Sequence, residues 1–237
     1  MNILGLIPAR GGSKGIPHKN RVLLADIPLI EYTFRAAQAS QHLTRTILST
    51  DDPILMEMAK AAGIEAPFQR PDALAQDETP MLPVVQHAVE WIATHEGFQS
   101  DAIVLLQPTS PLRRAEHIDE AVDLFHHQKA DTVVSVVSVP HHFNPVSLMK
   151  MTNEQLLVPY LHDALILRRQ DKPLVYARNG PALLIIHRAV LENDQLYGER
   201  TIPYIMEESD SIDIDTRDDL ALAAFWLEQS QQHDSES

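Results

Sequence analysis

With 237 residues, 44% of them hydrophobic and only 8 glycines, the chain can bury one substantial core and a small appended unit. A formal charge of −14 excludes a general binder of nucleic acid or of anionic membranes, which displace counterions with basic faces; any anionic ligand must be met by local cations. The absence of cysteine excludes a disulfide framework, thiol catalysis and any cysteine-based zinc site.

The first element is the apolar run Ile3 to Ile7, which reads as a buried strand. Pro8 and Arg10 cut it too short for the apolar core of a secretion signal. No segment approaches the ~20 apolar residues of a membrane span, so a soluble cytoplasmic protein is expected. Residues 7–20 then bring together three glycines, three cations and an asparagine. Glycines let the backbone approach an anion and expose its N–H groups, while Arg10, Lys14 and Lys19 add full charges. The spacing is not that of a P-loop, because no lysine follows the second glycine of a GxxxxG pair. It is not a dinucleotide fingerprint either, because Arg10 stands where the first glycine of GxGxxG belongs. What remains is a basic, glycine-bearing loop after a strand, suited to a nucleoside triphosphate whose phosphates face Arg10 and Lys19 as pyrophosphate departs.

Downstream, strand and helix signals alternate, as a mostly parallel α/β sheet covered on both faces requires. Pro28 opens a helix striped by Leu29, Ile30, Thr33, Phe34 and Ala37. Residues 46–50 read as a strand. Asp52 then caps a helix with Pro53 in its first turn, a stripe of Ile54, Leu55, Met58, Ala59 and Ala62, and Gly63 as its stop. Residues 64–68 read as a short strand, 70–77 as a loop and 83–93 as a helix. The apolar run 102–106 reads as a strand buried on both faces, delivering Gln107 to Arg113 at its carboxyl end, where ligands gather in open parallel sheets. A helix over 116–128 and a strand over 132–137 complete another unit. From Val139 to Tyr176 the alternation breaks down into mixed polar and apolar residues. The histidine pairs 126–127 and 141–142 do not suggest zinc, since adjacent side chains diverge and no third ligand stands at a recognisable spacing.

In residues 211–216, acids alternate with isoleucines. This is a strand signature that puts Asp213 and Asp215 on one side and Ile212 and Ile214 toward the core. Two carboxylates so close are costly without a cation, and all-oxygen ligands beside a triphosphate point to Mg²⁺. Thr216 and Asp219 form a capping box for a last helix with Leu220, Ala223, Ala224 and Leu227 inward, and residues 230–237 are polar enough to fray.

Seven segments, IPARGGSKGIPHKN, LSTDD, RPDALAQD, LLQPTSPLR, RRQ, RNG and SIDIDT, occur in an order that resembles the acylneuraminate cytidylyltransferase family over essentially the whole chain. The resemblance implies a Rossmann-like sheet of the nucleotide-diphospho-sugar transferase type over residues 1–138 plus 180–237, with a small dimerisation insertion at 139–179 in a homodimer. It implies transfer of CMP from CTP to the C2 hydroxyl of a nonulosonic acid of the N-acetylneuraminate or legionaminate type. Arg10, Lys19 and Asp213 would be catalytic, and Asp213 and Asp215 would hold Mg²⁺. Ala9, Gly11, Gly12, Ser13, Asn20 and Arg70 would bind the nucleotide, although by residue type Arg70 alone reads as a surface cation. Gln107, Arg169 and Gln170 would bind the sugar, Arg169 taking its carboxylate in its own or the partner's site. The chain departs from the pattern at Met81, where some sialate members carry serine, at Ala177, where many carry arginine, and at Pro181–Ala182, where Ala-Ile is more usual. Pseudaminate or 3-deoxy-manno-octulosonate as the acceptor, or a nucleotide-binding regulator without turnover, are the alternatives.

Overall fold

A computed structural model of the chain describes residues 1–161, 168–180 and 182–235, without the side chains of 231–235. The expected alternation is realised. Strand β1 (Ile3–Pro8) is buried throughout and runs into the basic loop. A hairpin of β2 (Leu23–Leu24) and β3 (Ile27–Pro28) leads to helix α1 (Leu29–Ala39), which buries the predicted stripe and Ala36 as well. Then come β4 (Arg45–Ser49), α2 (Pro53–Ala61), α3 (Met81–Glu96), β5 (Ala102–Leu105), α4 (Ala115–His127) and β6 (Thr132–Ser138). The chain next makes a separate two-stranded sheet of β7 (Met149–Met151) and β8 (Leu157–Pro159). It returns through β9 (Tyr176–Arg178), β10 (Leu184–His187), α5 (Arg188–Glu192), β11 (Thr201–Ile205) and α6 (Arg217–Ser235).

The main sheet has the order β11-β6-β10-β5-β1-β4. Strands β4, β1 and β5 are parallel, as are β6 and β11, while β10 runs antiparallel between β5 and β6. Strand β9 also pairs antiparallel with β6, so β9 and β10 lie end to end along one side of it. Between them the chain leaves the ladder, and Ser135 alone faces the gap. Its hydroxyl donates to Asn179 Oδ1 at 2.6 Å and its amide to the Leu183 carbonyl at 3.1 Å. The excursion makes room for Gly180 at the carboxyl edge of the sheet.

Successive strand residues point to opposite faces, which builds two cores. Ile3, Ile7 and Leu48 pack with Phe34, Leu55, Ile118 and Val122, while Leu4, Leu6 and Ile103 pack with Val85, Ala88 and Ile92. A third cluster positions the site. Ile16 of the basic loop, Leu29 of α1, Leu112 of the loop after β5, Ile214 and Ala223 of α6 bury against one another. Full burial of one such isoleucine or leucine contributes about 1.5–3 kcal/mol.

Four local expectations need correction. Helix α2 docks along Leu55 and Ala59, which turns Ile54 outward to 51% exposure. Residues 64–68 make one isolated bridge, at Glu65, with another just beyond at Gln69, rather than a strand, since Pro67 has no amide to donate to a ladder. Residues 211–216 belong to no sheet, and the chain bends at 215–216. The Ile214 amide is taken by the Thr109 carbonyl at 2.8 Å, and the amides of Asp215 and Thr216 by the Asp219 carboxylate. The last helix keeps its helical backbone through Ser235 instead of ending near 230; residues 236–237, like Pro181, lie outside the described residues.

Candidate active site

The basic loop, the segment from Arg70 to Val84 and the loop after β5 meet around a cavity of about 260 Å³, with Arg10, Gly12, Ser13, Lys19, Asn20, Arg70 and Gln107 in its wall. A larger groove of about 700 Å³ under α6, lined by Tyr32, Leu112 and Trp226, contains none of these residues.

Within the loop, the Asn20 amide donates to the Arg10 carbonyl at 2.9 Å, and the Gly11 amide donates to Asp51 Oδ1 at 3.0 Å. The Gly11 amide is committed to Asp51, and Ala9 is buried with its amide on the Ser49 carbonyl at 3.0 Å, so neither lines the cavity. Arg70 is no surface cation but 5% exposed. Its guanidinium donates to the Ser49 hydroxyl at 3.0 Å and to the Ser49 carbonyl, and burial brings its pKa down to about 10.

Arg10 and Lys14 both meet Asp77, a residue that sequence reading left in a plain loop. The hydrogen bond from Arg10, then the charges of Arg10 and Lys14, hold the Asp77 carboxyl below the usual range. Leu74, Gln76, Thr79, Met81 and Thr109 also reach the cavity. Only the basic partner of Asp77 carried a signal in the sequence.

The acidic segment reaches the loop directly. Lys19 Nζ donates to the Ile214 carbonyl at 2.6 Å and to Asp215 Oδ1 at 2.9 Å. A Cβ built on Gly15 would lie 2.5 Å from the Asp215 carbonyl, and one on Gly180, at φ +107, would lie 3.0 Å from Asp213 Oδ2. Both glycines are therefore required for the approach. Burial raises the Asp213 carboxyl above its ordinary range, the nearby Thr109 hydroxyl offsetting part of this and the Asp215 charge adding to it, and within hydrogen-bond geometry its buried Oδ1 has no partner. An orphaned, desolvated carboxylate oxygen beside a second carboxylate is a donor set that suits a hard divalent cation. Among the described residues no group of three or more His, Cys, Asp or Glu side chains is gathered to hold a metal, so a cation here would complete its shell with ligand or water oxygens.

Gln107 Nε2 donates to the Gly180 carbonyl at 3.1 Å, which keeps its side chain at the cavity wall. Asn179 is buried behind this turn and donates to the Ser211 hydroxyl at 2.8 Å, tying the return from β9 to the acidic segment. Arg169 and Gln170 are not brought to the cavity. They stand exposed in a short turn near His141, on the excursion that carries β7 and β8.

A family model described as "Cytidylyltransferase" matches residues 4–232. The chain is 32% identical over 221 residues to an N-acylneuraminate cytidylyltransferase of Escherichia coli O18:K1:H7, covering 93% of this chain but only about half, 51%, of that protein's length. It is 34% identical over 239 residues to a CMP-N,N'-diacetyllegionaminic acid synthase of Legionella pneumophila, covering 98% of this chain and 99% of that protein. Among solved structures, a CMP:2-keto-3-deoxy-manno-octonic acid synthetase complexed with CTP superposes with a TM-score of 0.69 at 17% identity, covering 97% of this chain and 100% of the other, a likeness of fold.

Proposed function

The chain belongs to the cytidylyltransferase family, and from that premise we propose that it transfers CMP from CTP to the C2 hydroxyl of a nonulosonic acid of the N-acetylneuraminate or legionaminate type, releasing pyrophosphate. One observation carries this reading: Lys19, from the cationic loop, is bonded to the acidic segment at Ile214 and Asp215, so phosphate-binding and cation-binding groups form one surface.

In the proposed reaction CTP lies along residues 8–20, with Gly12, Ser13, Asn20 and Arg70 against the nucleotide. The C2 hydroxyl oxygen bonds to the α-phosphorus as the bond to the β-phosphate oxygen breaks. Its proton passes to Asp213, and pyrophosphate leaves with the electron pair. Arg10 and Lys19 neutralise the charge that grows on the phosphates, where one fixed donor is worth about 2.7–4 kcal/mol. Asp213 and Asp215 would hold Mg²⁺, which when bound supplies further neutralisation of phosphate charge. Gln107 orients the sugar acid.

The reading extends to a homodimer, with residues 139–179 as its contact unit apart from the transferase body at 1–138 and 180–237. Phe143, Met151, Leu157, Leu174 and Tyr176 expose apolar surface there, which a second copy would cover. Arg169 and Gln170 lie on the same excursion and outside the wall of their own subunit's cavity, which favours a role at the partner's sugar site. With CTP as substrate, and no described helix long and apolar enough to cross a membrane, the cytoplasm is the proposed compartment.

The deciding experiment is pyrophosphate release from CTP, UTP, ATP and GTP across a panel of nonulosonic acids with Mg²⁺. Turnover should require CTP and a nonulosonic acid together; release with another nucleotide alone, or none with any acceptor, would end the proposal.

A further inference from the structure

Arg113 is the largest fully buried side chain, 2% exposed. No carboxylate among the described residues pairs with it, and burial alone draws its pKa down to about 9. An unpaired guanidinium in a protein interior is expensive to keep. Its bonds say what it holds. NH1 donates to the Gln107 carbonyl at 3.0 Å and to the Ala182 carbonyl at 2.5 Å, while NH2 donates to the Thr33 hydroxyl of α1 at 2.7 Å. The first two partners flank the contact in which Gln107 Nε2 donates to the Gly180 carbonyl, and Gly180 is the residue packed against the Asp213 carboxylate. Arg113 thus ties the loop after β5 to the start of β10 from behind. The nucleotide side, built on the loop after β1 at Arg10 and Ser13 and on Arg70 beyond α2, receives no bond from it.

We propose that Arg113 is a positioning residue for the acceptor half of the site, setting the Gln107 side chain and the Gly180 turn from inside the core without touching substrate. The inference rests on the cytidylyltransfer reading above.

The test is steady-state kinetics of the full chain as Arg113→Met, Arg113→Lys and Thr33→Val, with thermal melting measured in parallel. Arg113→Met should raise the KM for the sugar acid, or lower kcat/KM for it, by roughly tenfold or more, because small displacements of positioning groups are amplified in rate. The KM for CTP should stay within about twofold, since that side lacks the brace. Arg113→Lys should recover part of the loss, an ammonium still reaching a carbonyl. Thr33→Val, which frees one arm of the guanidinium, should give a smaller rise of roughly threefold in the sugar KM, and it carries the test if Arg113→Met does not fold. Folded variants in which both substrates weaken together, or neither does, overturn the inference and leave Arg113 a plain core brace. A wild-type protein that turns over no nonulosonic acid overturns the functional reading and this inference with it.

Discussion

Lys19 Nζ donates to Asp215 Oδ1 at 2.9 Å across 196 positions of the sequence, joining the first loop of the fold to its last acidic segment. The same ammonium holds the Ile214 carbonyl at 2.6 Å, so the lysine is fixed by a neutral and a charged partner at once. It needs little reorganisation to face a phosphate.

Replacing Lys19 by Met should therefore remove both a phosphate donor and the clasp on residues 214–215. Turnover is expected to fall by about 10² to 10³, the range for loss of one preorganised donor to a developing anion. Stopped-time measurement of pyrophosphate release reads this directly; a variant retaining more than a tenth of the wild-type kcat would remove Lys19 from the mechanism.

Asp213 is charged at a cost in the metal-free protein, because burial and Asp215 both disfavour its ionised form. Asp213→Asn should raise the melting temperature without divalent metal by roughly 2–4 °C, the shift that about 1 kcal/mol gives in a chain of this size. Added Mg²⁺ should stabilise the wild type and leave the variant unmoved. Turnover should be lost. If Mg²⁺ stabilises both proteins equally, the cation sits elsewhere.

Asp77 occupies Arg10 and Lys14 before any nucleotide arrives. A triphosphate bound as proposed would displace it, so Asp77→Asn should lower the KM for CTP a few-fold, as expected for releasing exposed ion pairs, and the gain should shrink with added salt. A KM for CTP that rises instead would mean that Asp77 holds Arg10 in place for the substrate.

The capping box at the start of α6 gives a pH signature. Burial pushes the Asp219 carboxyl up, but hydrogen bonds from the Thr216 hydroxyl and from the Thr216 and Asp215 amides outweigh it and hold the group below its usual range. Because the folded value is the lower one, the stabilisation is fully present above the ordinary carboxyl pKa of about 3.9 and is lost as pH falls through the depressed value. Asp219→Ala should cost about 1 kcal/mol at neutral pH. Denaturant titrations of the two proteins should converge in strong acid; a gap that persists there would trace to packing and not to the charge.

If the chain dimerises as proposed, Leu174→Glu should yield a monomer in light scattering, because Leu174 is 80% exposed on the unit assigned to the contact. If Arg169 serves the partner's site, mixing inactive Arg169→Ala with inactive Asp213→Asn should restore activity in the mixed dimers. Wild-type assembly of the Leu174 variant would shift the contact off this surface.

Most of the parallel framework could be read from periodicity, because β1 and β5 are continuous apolar runs, β6 is valine-rich around Ser135, and α1 and α4 carry their stripes in local sequence. Strands β10 and β11 escape such a reading, because β10 follows directly on the stretch where the alternation breaks down and Pro203 interrupts β11. The alternating 211–216 segment misleads for a complementary reason: Ile214 is buried as its pattern requires, but Asp213 is half-buried while Asp215 is exposed, and no strand lies alongside to pair with it. At the site, residues whose chemistry lies in their type, such as Lys19 and Asp213, were legible. Residues defined by what they meet, such as Asp77 and Arg113, were not, because their partners lie 67 and 80 positions away.

Strand β10 fills the slot between β5 and β6, yet it is synthesised after both and after the whole β7–β8 excursion. A nascent chain that has reached Ser138 therefore holds two apolar strands with bare inner edges, which cannot close on each other without excluding the strand still to come. Productive folding on the ribosome must wait for Leu184 to His187 to emerge, which makes the interval before that point the window in which a chaperone would matter most.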